Sequence, residues 1–167
     1  GCVGPRGEKY MYHHILATTA LAEAHGMYPA EGYGPPAQKA VDFLIAAQTP
    51  GKGWRYTANG GESDTSVTGW AVLALGAPER SMLSFPKLMS FTGAVSWLDE
   101  VTTKEGRTSY MGTFRDGGQP GVGEPFDRHE TMSAICALAR VIIHKRRMDG
   151  RLDAGLGWIV KDPPKWG

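Results

Sequence analysis

Apolar residues recur at helical spacing along this chain, and strand-type alternation never persists beyond a few residues. Six segments carry the helical pattern. The spacing predicts a first helix from Tyr10 to His25, stopped at Gly26, a residue suited to the left-handed position after a helix. A second helix is predicted from Pro36 to Gln48, with proline in its first turn. A third opens at Ser63 or Asp64 as N-cap and ends near Gly76. The fourth runs from Pro86 to about Thr102, the fifth from just after Asp127 to Lys145, and the sixth from Asp153 to a stop before Pro163.

Two kinds of helix alternate. The first, third and fifth are rich in small and apolar residues, among them Ala17, Ala20, Ala71, Ala74, Ala134 and Ala137. They are apolar on more than one face, so burial on both sides is expected. The second and fourth carry Lys39, Asp42, Asp99 and Glu100 and read as a solvent-facing layer. The expected fold is therefore all-α, an α/α toroid or solenoid segment of inner and outer helices in one domain spanning residues 1–167.

Spacing strengthens this reading. Phe43-Leu44 recurs as Trp97-Leu98 at the same offset that separates Ala20-Leu21 from Ala74-Leu75. Ala137-Leu138 follows Ala74-Leu75 at a somewhat longer interval. A recurring offset of this size implies units that bury their apolar faces only against neighbours. The link between the fourth and fifth helices is longer than its counterpart and includes Thr113–Gly121, rich in Gly, Arg and Asp. Insertions in repeat folds tend to fall on one face, often a binding face, although a tolerated surface loop accounts for them equally.

Bulk properties narrow the partners. In 167 residues, 18 basic and 17 acidic side chains give a net charge of +1, which offers no reason to expect nucleic acid. No apolar run approaches the roughly 20 residues needed to span a bilayer. Cys2 and Cys136 lie in such different settings that they define no disulfide framework, and Cys136 reads as an inert core residue. The chain opens at Gly1 with no visible signal peptide, as expected of a trimmed chain or a fragment.

The series Lys39-Ala40, Phe43-Leu44, Gln48, Gly53-Trp54 resembles the QW repeat of the squalene cyclase and prenyltransferase superfamily. The glycine is displaced by one residue from the usual Gly-x-Trp. Asp64-Thr65-Ser66-Val67-Thr68-Gly69-Trp70 and Met11-Tyr12-His13-His14 resemble inner-helix starts of bacterial proteins described as prenyltransferase/squalene oxidase repeat proteins. The resemblance implies an α/α toroid, with further repeats or another subunit completing a ring that the three helix pairs here leave open. It also implies an apolar, isoprenoid-like ligand as a possibility. In physical terms, the Gln48 amide can bond the open end of a neighbouring helix while Trp54 packs across the turn, with Gly53 between them.

Chemistry is harder to place. Squalene–hopene-type cyclases use an Asp-x-Asp-Asp acid motif, and none occurs here. Isolated acids at helix starts, such as Asp64 and Asp127, serve more often as N-caps than as proton donors. The histidines lack metal-motif spacing, and His129-Glu130 has no second histidine where a zincin needs one, so no metal and no cofactor is expected. Aligning the Ala-Leu pairs puts His14, Thr68 and Thr131 in one row, and Tyr10, Asp64 and Asp127 in another. Tyr12, His14, Asp64, Thr68, Trp70, Asp127, His129 and Glu130 are thus candidates to face one cavity, with capping and inter-helix bonding as the plainer reading. Tyr56, with Tyr12 and Trp70, suits an apolar or sugar-binding cleft or the core equally. The expected function is a non-catalytic module for binding or assembly within a larger protein. The alternative is an isoprenoid cyclase or transferase whose catalytic residues lie outside this segment. A polysaccharide-active toroid rests only on the aromatics and acids.

Overall fold

The computed structural model describes residues 1–111, 130–144 and 149–161. Among these it is helical throughout: α1 (Tyr10–Met27), α2 (Gly34–Ala46), α3 (Thr65–Arg80), α4 (Lys87–Glu100), α5 (Glu130–His144) and α6 (Gly150–Lys161), with one 3-10 turn at Pro29–Glu31. The nearest approach to a strand pair among the described residues is a single bridge between Thr102 and Thr108. The Thr113–Gly121 link lies outside the described residues.

Several helix ends differ from expectation by a few residues: α2 is shifted to Gly34–Ala46 and α4 ends at Glu100, and at three others a local reason is visible. Gly26 lies within α1, because the Ser81 hydroxyl sits 3.0 Å from where a Cβ would project. Ser81 Oγ bonds the Ala22 and Ala77 carbonyls (2.6 and 2.9 Å), tying the end of α3 to α1. α3 passes Gly76 and continues through Pro78 to Arg80. Proline there forfeits one backbone bond, and the Ser81 N–H still bonds Ala77 and Pro78 carbonyls in the final turn. α6 begins at Gly150 and not at Asp153, because Asp149 Oδ1 accepts the Arg151 and Leu152 N–H groups (3.0 and 3.3 Å).

α1 packs on α2 and α3, α3 on α5, and α5 on α6, while α4 touches α3 and α5. One apolar core runs through them: Met11 and Ile15, Val41 and Leu44, Val67, Val72 and Leu75, Phe91, Trp97 and Leu98, then Cys136 and Ala139. α2 and α4 each bury one face and leave the other to solvent, as expected. The small-residue helices depart from expectation. α1 and α5 are not buried on both sides: Leu16 and Leu138 are half exposed, and Trp70 on the otherwise buried α3 is 41% exposed.

Close helix approach requires glycine at two points. A Cβ at Gly69 would lie 2.1 Å from Ile135 Cγ2, where α3 meets α5. A Cβ at Gly93 would lie 2.8 Å from both Gln48 Nε2 and the Lys52 carbonyl, where α4 meets the end of α2.

Backbone hydrogen bonds recur at the spacing read from the sequence. Ala47 N to Phe43 O has its counterpart in Val101 N to Trp97 O, and Thr49 N to Gly53 O in Thr103 N to Arg107 O. Lys52 N to Thr49 O matches Gly106 N to Thr103 O. Met11 N to Tyr56 O (3.1 Å) matches Thr65 N to Tyr110 O (3.0 Å). In each pair both partners are displaced by one interval, 54 residues, the same that separates Tyr56 from Tyr110.

Candidate functional site

Trp54 is fully buried, and its indole N–H donates to the Leu44 carbonyl at 2.7 Å in the last turn of α2. Gln48 Nε2 donates to the Lys52 and Ser90 carbonyls (2.7 and 2.9 Å), so it joins the end of α2 to the first turn of α4. Gly53 N–H donates to Ser63 Oγ at 3.1 Å, and a Cβ at Gly53 would strike Thr68 Oγ1. Gln48, Gly53 and Trp54 therefore form a junction between helices. Thr68 belongs to it: fully buried, its hydroxyl accepts the Trp54 N–H at 3.0 Å.

The chemistry-bearing cluster sits at the start of α3. Asp64 has extended backbone and caps the helix, its Oδ1 accepting the Val67 N–H and the Ser66 hydroxyl, both at 2.8 Å. Ser66 Oγ also lies 2.6 Å from Tyr12 Oη. A hydroxyl has one proton; with the serine proton on Asp64, Tyr12 is the donor to Ser66. Tyr110 Oη lies 3.4 Å from Ser66 Oγ, and the Tyr56 and Tyr110 hydroxyls share a short hydrogen bond. The Tyr12 and Tyr56 rings lie 5.8 Å apart, with Lys9 Nζ 5.2 Å from the Tyr56 ring centre.

Electrostatics follow from burial. Asp64 is fully buried, and its Oδ2 has no hydrogen-bond partner among the described residues. Desolvation raises its pKa above the ordinary carboxylate value; the Val67 N–H, Ser66 and the Arg55 charge oppose the rise without cancelling it. Burial pushes the Tyr12 phenol up to about 12, against the Ser66 bond and with the repulsion of Asp64. Tyr56 is raised in the same way, by burial first and then by its bond to Tyr110. The chain Tyr56–Tyr110–Ser66–Asp64, with Tyr12 joining at Ser66, is thus a hydrogen-bond network ending at a carboxyl whose pKa burial raises.

The other expected site residues go elsewhere. His14 is buried between α1 and α2: its Nδ1 accepts the Val3 N–H at 3.1 Å, and Nε2 lies 3.0 Å from the Ala40 carbonyl. That pairing fixes the Nε2–H tautomer. Burial lowers its pKa, with the Ala40 bond opposing. Trp70 lies in a shallow apolar groove with Leu73, Ile135 and Leu138. Glu130 opens α5, and its side chain, like Asp127 and His129, lies outside the described residues. Of the eight, the structure links Tyr12 with Asp64, commits His14 and Thr68 to helix junctions, and sets Trp70 at a surface. The alignment that placed Thr131 beside Thr68 is corrected by two residues. Thr108 N–H donates to Ser133 Oγ (3.2 Å) as Trp54 N–H does to Thr68, and Thr131 is exposed.

Ser66 and Tyr110 escaped the sequence reading. Their signal was spacing: Tyr12 and Ser66 are 54 residues apart, and so are Tyr56 and Tyr110. No group of three or more His, Cys, Asp or Glu side chains able to hold a metal occurs among the described residues. No helix is long and apolar enough to cross a membrane among the described residues. No protein-family model, curated protein or solved structure matches the chain.

Proposed function

We propose that this chain is an α/α-toroid segment, similar to the repeat modules of the squalene cyclase and prenyltransferase superfamily, that binds or assembles and does not catalyse. α1, α3 and α5 are its inner helices; α2, α4 and α6 are its outer ones. The observation that carries the reading is the set of junction hydrogen bonds whose partners all shift together by one common interval. Such a set is what two copies of one helix-pair unit would make.

The inner helices leave an apolar row uncovered. Leu16 and Trp70 occupy matching positions one interval apart, and Leu138 shares the Trp70 groove. A face of this kind suits further repeats of the same chain or another subunit. Light scattering and a thermal melt of the chain test this reading. The expected result is self-association or partner dependence that Trp70→Asp and Leu138→Asp reduce. A monodisperse monomer with a cooperative melt and no bound partner would reject it.

The isoprenoid-cyclase alternative is favoured by one observation: the buried Asp64 carboxyl with a raised pKa and an Oδ2 without a hydrogen-bond partner among the described residues. Its Oδ1 is committed to the α3 cap, and the side chain has no exposure to solvent, which supports the structural role. Incubation with squalene and product analysis separates the two. The expected result is no turnover; turnover lost in Asp64→Asn would establish the enzyme.

A further inference from the structure

A cavity of about 480 Å³ lies between α4 and α5, lined by Lys87, Leu88, Phe91, Thr92 and Val95 on one side and Ile143 and His144 on the other. A second space of about 410 Å³ shares Val95 and His144 with the first and continues to Asp99, Lys104, Arg140 and Arg151. The two adjoin as a groove that is mainly apolar at one end, with Lys87 Nζ 6.0 Å from the Phe91 ring, and ionic at the other. From Leu88 to Asp99 the α4 wall is about 16 Å long.

The ionic end has an imbalance. Arg140, only 2% exposed, donates to Asp99 Oδ1 at 2.7 Å and to Asp149 Oδ2 at 2.8 Å. Arg151 adds a second guanidinium to Asp99 Oδ1 at 2.5 Å, and His144 Nε2 lies 3.4 Å from Asp149 Oδ2. Asp149 Oδ1 is occupied by the first N–H groups of α6. Asp99 thus already faces two guanidiniums, and Asp149 faces one together with two backbone N–H groups. Lys104 is exposed and has no ion-pair partner among the described residues, and Arg151 is part-exposed beside it along the same wall. Among the described residues, this end holds Arg140, Arg151 and Lys104 against Asp99 and Asp149, a balance that favours a bound negative charge.

We propose that the α4/α5 groove binds a single-chain amphipathic anion, its tail along Leu88, Phe91, Val95 and Ile143 and its head at Lys104 and Arg151. The volume is that of a small-molecule site, a mostly apolar cleft with a few placed polar groups. The apolar wall, Leu88 to Val95, is about 10 Å long before ions replace it, so a tail laid along it brings its head to Lys104 and Arg151. The groove is separate from the Asp64 cluster and from the Trp70 face, so the proposal stands independently of the assembly reading.

Calorimetric titration of the 167-residue chain with decanoate, decanol and decyltrimethylammonium, all below micelle formation, tests it. Decanoate is expected to saturate at about one per chain and to bind more tightly than the cationic analogue. Lys104→Glu, at an exposed position, is expected to weaken decanoate about fivefold or more, to leave decanol unchanged and to favour the cation. Thr92→Trp, which fills the apolar end, is expected to abolish binding of all three. Equal affinity for the three heads, unsaturable uptake, or binding only to anionic vesicles would overturn the proposal. If Thr92→Trp fails to fold, the head-group preference of Lys104→Glu decides alone: an unchanged preference refutes the site.

Discussion

Asp64 is asked to do two things that oppose each other. Capping α3 favours the carboxylate, and complete burial favours the neutral acid; burial prevails, and the pKa rises. A carboxyl whose folded pKa is raised contributes stability that is full below its unfolded pKa and is lost as pH rises through the folded value. Asn can cap without a charge. Asp64→Asn is therefore expected to gain melting temperature relative to the parent near pH 8 more than near pH 4. A difference independent of pH would contradict this account. His14 behaves in the opposite sense. Its lowered pKa means that the unfolded chain takes up protons first as pH falls below about 6.5, so stability drains on acidification through that region. His14→Gln is expected to flatten that limb of the melting profile. At Trp54, replacement by Ala is expected to cost about 3–5 kcal/mol in a denaturant melt. A neutral result would mean that the junction contributes nothing. Trp54 and Gln48 were legible as residues at the end of α2, and there they bond different partners: Trp54 the Leu44 carbonyl, Gln48 those of Lys52 and Ser90. His14, a cavity candidate with inter-helix bonding as the plainer reading, makes inter-helix bonds, although nothing in the sequence says that the Val3 N–H and the Ala40 carbonyl meet its two nitrogens.

Among the elements, the type and order of all six helices were readable from apolar spacing, and the errors fell at ends governed by tertiary contacts. Gly26 reads as a stop, yet Ser81, far along the chain, makes it a packing glycine inside α1. Asp149 caps α6 while also holding Arg140. Burial would raise its pKa, but the Arg140 bond and charge and two N–H groups hold it below the ordinary carboxylate value. The α3–α5 contact provides a direct test. Gly69→Ala places a methyl against Ile135 Cγ2 and is expected to cost about 1–3 kcal/mol. Pairing it with Ile135→Ala, which removes that atom, should recover part of the loss. A double-mutant cycle without coupling would show that the two residues do not meet as described.

For the whole molecule, one core spans five of the helices, and its residues were mostly evident as the apolar positions of the pattern. The faces left open were not. Periodicity marks a helix side as apolar without saying whether anything covers it, and so Leu16 and Leu138 lie half exposed on helices expected to be buried on both sides, and Trp70, expected in a cavity or the core, lies at the surface. The common displacement of the junction hydrogen bonds has a consequence for how such a chain can change. Those bonds join backbone groups, so they constrain length and leave side-chain identity free. Trp54 has Thr108 at the matching position, and around it the Val101 and Thr103 N–H groups still bond the Trp97 and Arg107 carbonyls, as Ala47 and Thr49 bond those of Phe43 and Gly53. On the proposed reading of the chain as a repeat module, such units can diverge until their likeness fades, while a block one interval long can still be gained or lost without disturbing the register of what remains.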